Sequence, residues 1–183
     1  MNKNDSENLV WYVAYGSNLL IERFYSYLKG IKFEDTFTPE VEDDSDPVDI
    51  QPFDIPYPLY FAERSRTWHG GGVAFLDHTT KGYSYGRAYL ITYQQYLHVK
   101  RHEGEWYQHE CSLGEFKGYP ALTFTSEIVK EANKPSPEYV AVIAKGLKQQ
   151  YPELDDYMIH NYLLHAIKRK NFKNKFELRK SQV

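Results

Sequence analysis

The segment Tyr15-Gly16-Ser17-Asn18 joins an apolar run to an amphipathic one and consists of a glycine among polar residues. Gly16 allows a sharp turn with positive φ and lets a ligand approach the backbone. The first amides of a following helix lack intrahelical partners, so they can bind a carboxylate or an oxyanion. The residues fit equally well an ordinary helix cap, in which Ser17 or Asn18 bonds those amides. Ser17 is not expected to be a nucleophile, because the G-x-S-x-G pattern is absent.

Glu103 stands at the predicted end of a capped helix, directly before Gly104. A carboxylate there meets the negative end of the helix dipole, and tyrosines around it would raise its pKa by desolvation. A raised pKa suits a general base. The alternative is a solvent-exposed glutamate without a role, which the residues alone favour.

Three other groups of residues could carry chemistry, but their patterns do not favour a functional site. His98 and His102 are four residues apart, but the H-E-x-x-H order is absent and a third ligand is not evident, so no metal site is predicted. The run from Gly70 to Gly72 lacks the Lys-Ser/Thr of a phosphate-binding loop and is typical of a close-packed turn. Cys111 lies near His109, yet a buried spectator thiol is the favoured interpretation.

Apolar periodicity predicts the elements that position these residues. Strands alternate with turn clusters in the middle of the chain, and helices are expected near the start, after residue 92 and at the end. The predicted strands are Leu9 to Gly16, Tyr57 to Glu63, Gly72 to Asp77, Ser84 to Thr92, Trp106 to Leu113 and Ala121 to Thr125. The predicted helices are Leu19 to Leu28, Thr92 to Gly104, a helix that Ser136 caps and that has Pro137 in its first turn, and Leu154 to Lys170.

This arrangement predicts an α+β fold, a small curved mixed sheet or β-barrel with flanking helices. The 183 residues suit a single domain spanning 1–183. The helix after Ser136 carries Tyr139, Ile143 and Leu147 at four-residue spacing, so the ring of Tyr139 is expected to be buried.

Charge is distributed unevenly along the chain. The acidic, proline-containing segment 33–58 shows neither helical nor strand periodicity and is predicted to be an irregular surface insertion. The segment 154–183 is predicted to be a basic C-terminal helix and tail, with seven basic residues between Lys168 and Lys180. A solvated face is favoured over nucleic-acid binding for this end.

Further features of the sequence bear on the cellular location of the protein. A polar start without an apolar region predicts no secretory signal, and no apolar run is long enough to cross a membrane. The single cysteine excludes an internal disulfide framework. These features predict a cytoplasmic protein.

Four segments in order resemble the γ-glutamylcyclotransferases of the animal type. Residues 11–23 (WYVAYGSNLLIER) are similar to the family's Y-F-A-Y-G-S-N-L-L with its trailing E-R, and residues 67–71 match its T-W-H-G-G turn. Glu103-Gly104 falls where the family has the E-G of its catalytic base, and residues 135–139 match its P-S-P-x-Y. Between Glu103 and the next strand the residues differ from the family pattern, so the neighbouring pocket tyrosine is either Tyr107 or none.

The resemblance implies an enzyme that cyclises γ-glutamyl amino acids or γ-glutamyl amines to 5-oxoproline and releases the amino compound. Glu103 would act as base and then as acid, with no metal or organic cofactor. The implied substrate contacts are Tyr12, Val13, Ala14, Tyr15, Gly16, Ser17, Asn18 and Tyr139. The competing interpretation is a non-catalytic module that binds an amino-acid-like ligand in the same cup.

Overall fold

The computed structural model describes residues 8–33 and 41–169. The seven strands are β1 (Leu9–Ala14), β2 (Asp49–Ile55), β3 (Leu59–Ala62), β4 (Val73–Leu76), β5 (Ser84–Thr92), β6 (His109–Phe116) and β7 (Tyr119–Thr125). The helices are α1 (Ile21–Lys29), α2 (Tyr93–His102), α3 (Pro137–Gln150) and α4 (Asp156–Lys168), with a 3₁₀ turn at Ser17–Leu19. The basic residues beyond Arg169 lie outside the described part of the chain.

Five strands form a mixed sheet in the order β2-β5-β1-β7-β6. The central strand β1 pairs antiparallel with β5 and parallel with β7. The sheet is strongly curved, because Phe53 on the edge strand β2 meets Phe116 on the opposite edge strand β6, with ring centroids 5.1 Å apart. Trp11 on β1 contacts Phe116 at the same centroid distance. The predicted α+β fold with a small curved mixed sheet is therefore confirmed.

The strands β3 and β4 form a separate two-stranded sheet. The hydroxyl of Thr125, at the end of β7, joins the two sheets. It accepts a hydrogen bond from the Leu76 amide at 3.1 Å and donates one to the Leu76 carbonyl at 3.0 Å. This link fixes β4 against the end of β7.

Side chains alternate along β1 between two apolar clusters. Trp11 and Val13 belong to one cluster, whereas Val10, Tyr12 and Ala14 belong to the other. Successive residues of a strand point to opposite faces, so one short strand supplies both layers of the core. The second cluster contains Phe24, Leu28, Tyr96 and Val99, through which α1 and α2 cover that face.

Local sequence signals begin and end the helices as predicted. Gly30 stops α1 in the left-handed conformation at φ 60°. Thr92 and Gln95 form a capping box at the start of α2, and Ser136 caps α3 ahead of Pro137. The strand expected from Trp106 instead begins at His109, because a turn comes first, in which the Tyr107 amide donates to the Gly104 carbonyl at 3.0 Å.

The prediction that segment 33–58 is an irregular insertion is wrong for its second half. Residues 49–55 form β2, which pairs with β5 over its whole length, and Ile55 is fully buried. Proline is tolerated in an edge strand, which is why Pro52 does not prevent this pairing. Ahead of β2, Asp43 accepts a hydrogen bond from the Thr92 hydroxyl at 2.9 Å. Residues 34–40 lie outside the described part of the chain.

Candidate active site

A cavity opens where β1 ends and the turn of residues 15–18 begins. We call it the inner cavity. The residues predicted from sequence that line it are Tyr12, Tyr15, Gly16, Ser17, Asn18, Glu103 and Tyr139. The structure thus brings together residues separated by up to 127 positions in the sequence.

Gly16 does not adopt the positive φ expected of it. Its φ is −107° and its ψ −139°, which lies outside the left-handed region. Space explains the glycine instead, because a Cβ there would lie 3.0 Å from the Tyr139 hydroxyl and 3.3 Å from the Ala74 Cβ. The group that lies close to this backbone is a tyrosine of the protein itself, and the approach of a ligand to Gly16 stays a prediction.

The side chain of Asn18 does not cap a helix. Neither the 3₁₀ turn nor α1 has a side-chain cap hydrogen bond at its start. Asn18 Nδ2 instead donates to Glu103 Oε1 at 3.0 Å and to the Tyr12 hydroxyl at 3.1 Å. The Tyr12 hydroxyl in turn donates to the same Glu103 Oε1 at 3.3 Å. Three side chains therefore form a closed triangle of hydrogen bonds around one carboxylate oxygen.

The pKa of Glu103 is raised above its ordinary value of 4.5, mainly because burial penalises the carboxylate. The charge of Arg23 and the hydrogen bonds from Tyr12 and Asn18 oppose this shift. Although Glu103 follows α2 at the surface end of the helix, its side chain is directed inward and is only partly exposed. A desolvated carboxylate with a raised pKa can accept and return a proton.

Tyrosines surround this carboxylate. Burial raises the pKa of Tyr12, Tyr15, Tyr27, Tyr107 and Tyr139, and the negative charge of Glu103 raises each of them further. The pKa of Tyr27 rises to about 12. All five phenols therefore stay protonated at neutral pH, and the cavity combines one negative charge with aromatic walls. Such a site favours a cationic ligand group.

The hydroxyl of Tyr139 accepts a hydrogen bond from the Ala74 amide at 3.1 Å. Its ring contacts that of Trp68, with centroids 4.8 Å apart. Tyr107, which the sequence left undecided, does line the inner cavity, and its hydroxyl donates to the Ala74 carbonyl at 2.8 Å. Both backbone groups of Ala74 are thus held by tyrosines, which fixes this wall of the cavity.

Two residues expected to contact substrate lie elsewhere. Val13 and Ala14 are buried in the two core clusters on β1 and do not line the inner cavity. The Val13 carbonyl accepts the Thr123 hydroxyl at 2.6 Å. Sequence reasoning missed three lining residues, Ala74, Thr123 and Phe124. They lie in β4 and β7 and carried no chemical pattern, so only the strand pairing reveals their position.

A second, larger cavity adjoins the first, and we call it the outer chamber. Ser17, Glu103, Tyr107 and Tyr139 line both. The other lining residues of the outer chamber include Arg23, Arg64, Arg66, Trp68, His102 and Trp106. The inner cavity therefore opens towards solvent through a wider, more basic space.

The histidines and the cysteine considered in the sequence analysis do not line the inner cavity. The rings of His98 and His102 are 4.5 Å apart, and within residues 8–33 and 41–169 no three His, Cys, Asp or Glu side chains are grouped as metal ligands. Burial raises the pKa of Cys111, which disfavours its thiolate. His109 stacks on His78 at 4.5 Å. None of the described helices combines the length and the apolar character needed to cross a membrane.

Comparison with known proteins identifies the architecture. No sequence-family model matches the chain, and no curated protein matches it. The uncharacterized human protein loc79017 has a similar structure over 90% of this chain and 91% of its own, with a TM-score of 0.61 and 21% identity. YkqA from Bacillus subtilis matches over 92% of this chain and 58% of its own, with a TM-score of 0.57 and 20% identity.

These matches define the class as an α+β protein built on a small curved sheet. A solved γ-glutamyl cyclotransferase matches over 94% of this chain and 99% of its own, with a TM-score of 0.61 and 19% identity. The chain therefore has the γ-glutamyl cyclotransferase fold, as the sequence resemblance implied.

Proposed function

We propose that the protein cyclises γ-glutamyl amino compounds, releasing 5-oxoproline and the free amine, with Glu103 as the proton-transferring residue. One observation carries the proposal. A desolvated carboxylate, with one oxygen held by Asn18 and Tyr12, faces a small cavity at the turn of residues 15–18. The γ-glutamyl cyclotransferase fold supports the same reaction.

The substrate would carry its own nucleophile. Its α-ammonium loses a proton to Glu103, and the α-nitrogen forms a bond to the γ-carbonyl carbon, closing a five-membered ring. The bond from that carbon to the leaving nitrogen then breaks, and Glu103 returns the proton to the leaving nitrogen. The second proton that the ring nitrogen loses passes to the released amine, which leaves as an ammonium ion. Fixed geometry accelerates such an intramolecular attack strongly. Because one carboxylate both accepts and donates the proton, the reaction ends with Glu103 in its starting state.

The hydrogen-bond triangle supports different roles for the two oxygens of Glu103. Oε1 accepts from both Asn18 and Tyr12, whereas Oε2 has no hydrogen bond within the described residues. Oε2 is therefore the oxygen that would take the substrate's proton. The carboxylate is held in one orientation by neighbours that do not themselves need to react.

Asn18 also offers an acceptor to the substrate. Its Oδ1 is buried and has no partner among the described residues. The orientation of the amide follows from chemistry, because an ionised carboxylate only accepts and Nδ2 must face Glu103. A buried acceptor beside a carboxylate suits an ammonium group with several protons to donate. The α-ammonium would then lie between Asn18 Oδ1 and Glu103 Oε2.

Negative charge that develops on the γ-carbonyl oxygen would be stabilised by the backbone of residues 15–18 and by the Tyr139 hydroxyl. That hydroxyl accepts from Ala74, so its own proton is available for donation. One such preorganised donor contributes about 3 kcal/mol to transition-state stabilisation.

The proposal is tested by incubating the protein with γ-Glu-Ala and other γ-glutamyl compounds and measuring 5-oxoproline by mass spectrometry. Glu103→Gln should remove turnover because an amide cannot accept the ammonium proton. Glu105→Gln is the matched control, since Glu105 is an exposed carboxylate two residues away. Binding of these compounds without 5-oxoproline release would instead identify a non-catalytic module.

A further inference from the structure

We propose that Arg64 and Arg66 form the subsite for the leaving amine and select substrates whose leaving amine bears a carboxylate. This inference rests on the proposed function and names the substrate class within it. It follows from the position and charge of the two arginines in the outer chamber and from the hydrogen bonds that hold the backbone of their loop.

The two cavities determine where the leaving group lies. The reacting carbonyl must lie beside Glu103 in the inner cavity, which is the smaller of the two cavities. Glu103, Tyr107 and Tyr139 form the boundary with the outer chamber. A leaving amine therefore extends into the outer chamber, between walls that include Trp68 and Trp106.

The outer chamber carries more positive than negative charge. Its lining contains three arginines and a single acidic side chain, Glu103. Arg23 is buried and donates to the Ser26 and Tyr27 hydroxyls, so it belongs to the floor. Arg64 and Arg66 are exposed and form no ion pair within the described residues. Two such guanidinium groups beside a substrate site favour an anionic ligand group, and a guanidinium fork matches a carboxylate in geometry.

Nearby acids do not neutralise this pair completely. Glu63 forms an ion pair with Lys130 at 3.2 Å. Glu131 lies in a separate surface depression that Arg64 also lines, whereas Arg66 does not line that depression. Arg66 is therefore expected to contribute more to carboxylate binding than Arg64.

The backbone that carries Arg66 is firmly held. The Ser65 and Gly71 backbones bond each other at 3.0 Å, and the Gly70 amide donates to the Ser65 carbonyl at 2.8 Å. Trp68 anchors the same loop, because its buried ring packs on Tyr139. A charged group on a fixed loop loses less entropy when it binds a ligand.

The test compares two substrates that differ only in one carboxylate. γ-Glu-Ala and γ-glutamyl-ethylamide release alanine and ethylamine, respectively. Wild-type protein should prefer γ-Glu-Ala in kcat/KM by about tenfold to a hundredfold, the range expected for a hydrogen bond to a charged group. Higher salt should reduce this preference, because exposed charges are screened.

Variants then assign the preference to the arginines. Arg66→Met and the double variant Arg64→Met/Arg66→Met should lower the ratio of the two kcat/KM values at least about fivefold, whereas Arg66→Lys should retain part of it. Arg101→Met is the control, because it removes an exposed positive charge that does not line the chamber. An unchanged ratio in the double variant overturns the proposal.

A binding measurement separates this proposal from the proposed function. Calorimetry with Glu103→Gln should show tighter binding of γ-Glu-Ala than of γ-glutamyl-ethylamide. Equal kcat/KM values for the two substrates would remove the subsite and leave the cyclisation standing. If wild type turned over neither substrate, the proposed cyclisation would be wrong. Calorimetry would still test the arginine subsite, because equal affinities for the two compounds, or no binding of either, would overturn it.

Discussion

Gly16 and Tyr139 are in contact, and a Cβ on Gly16 would lie 3.0 Å from the Tyr139 hydroxyl. Since that hydroxyl also accepts the Ala74 amide, it cannot move aside without losing a buried hydrogen bond. The turn of residues 15–18 and helix α3 are therefore fitted to each other at this point. The contact gives the first prediction.

Gly16→Ala should destabilise the protein by about 1–3 kcal/mol through overpacking and should lower 5-oxoproline release. Tyr139→Phe alone should cost about 1–3 kcal/mol, because the buried Ala74 amide loses its acceptor. The double variant should lose less stability than the sum of the two, because removing the hydroxyl makes room for the methyl group. Denaturant melts of the four proteins measure this coupling, and simple additivity would show that the contact does not limit residue 16.

Glu103→Gln should change the pH dependence of stability as well as activity. Since the folded state raises the pKa of Glu103, the stability that this residue contributes is present at low pH and is lost as pH rises through the folded pKa. The glutamine variant lacks this loss. As the pH rises from below the ordinary pKa of 4.5 through the raised pKa of Glu103, the variant should therefore gain stability relative to wild type.

Denaturant melts at several pH values check this prediction, with Glu105→Gln as the reference. A difference between wild type and Glu103→Gln that does not vary with pH would mean that Glu103 is not desolvated in solution.

Arg23 should set the pH at which the proposed activity appears. Its positive charge lowers the pKa of Glu103 against the effect of burial. In Arg23→Met the pKa of Glu103 should rise further, so the acidic limb of the pH profile of kcat/KM should move to higher pH. Arg23→Lys should restore most of the wild-type profile because it keeps the charge. A uniform loss of activity at every pH would assign Arg23 a purely structural role.

Ile55 should be important for stability although it lies in an acidic, proline-containing segment. Because its side chain is fully buried at the end of β2, Ile55→Ala should destabilise the protein by about 2–5 kcal/mol. Val48→Ala is the control, since Val48 is 58% exposed and should change stability by less than about 0.5 kcal/mol. Equal free energies of unfolding for the two variants would show that the burial of Ile55 in β2 does not contribute to stability.

Sequence reasoning located most of the elements because their signals are local. The capping box at Thr92 and the glycine stop at Gly30 act within a single turn of helix. Sequence reasoning missed β2 because an edge strand pairs with only one neighbour and tolerates Pro52. Its residues therefore do not show the pattern by which a strand is recognised.

The candidate site was predicted less completely, since its geometry depends on contacts between distant parts of the chain. The sequence indicated that Gly16 is important, but the reason a glycine is needed there is the hydroxyl of a tyrosine 123 positions further along the chain. Rules that consider only neighbouring residues cannot predict such a contact. Similarly, the interaction of Asn18 with Glu103 spans 85 positions. Only the paired strands and packed helices bring these side chains together.

The edges of the curved sheet bear on how the protein behaves when concentrated. β2 presents Pro52 together with the acidic Asp49 and Asp54, and β6 carries an irregular register between Ser112 and Glu115. Proline, charge and bulges are the features by which sheets resist the addition of a strand from another molecule. Both borders of this sheet are thus poor templates for intermolecular pairing, so the tyrosine-rich, strand-rich chain is protected from fibrous aggregation while it remains folded.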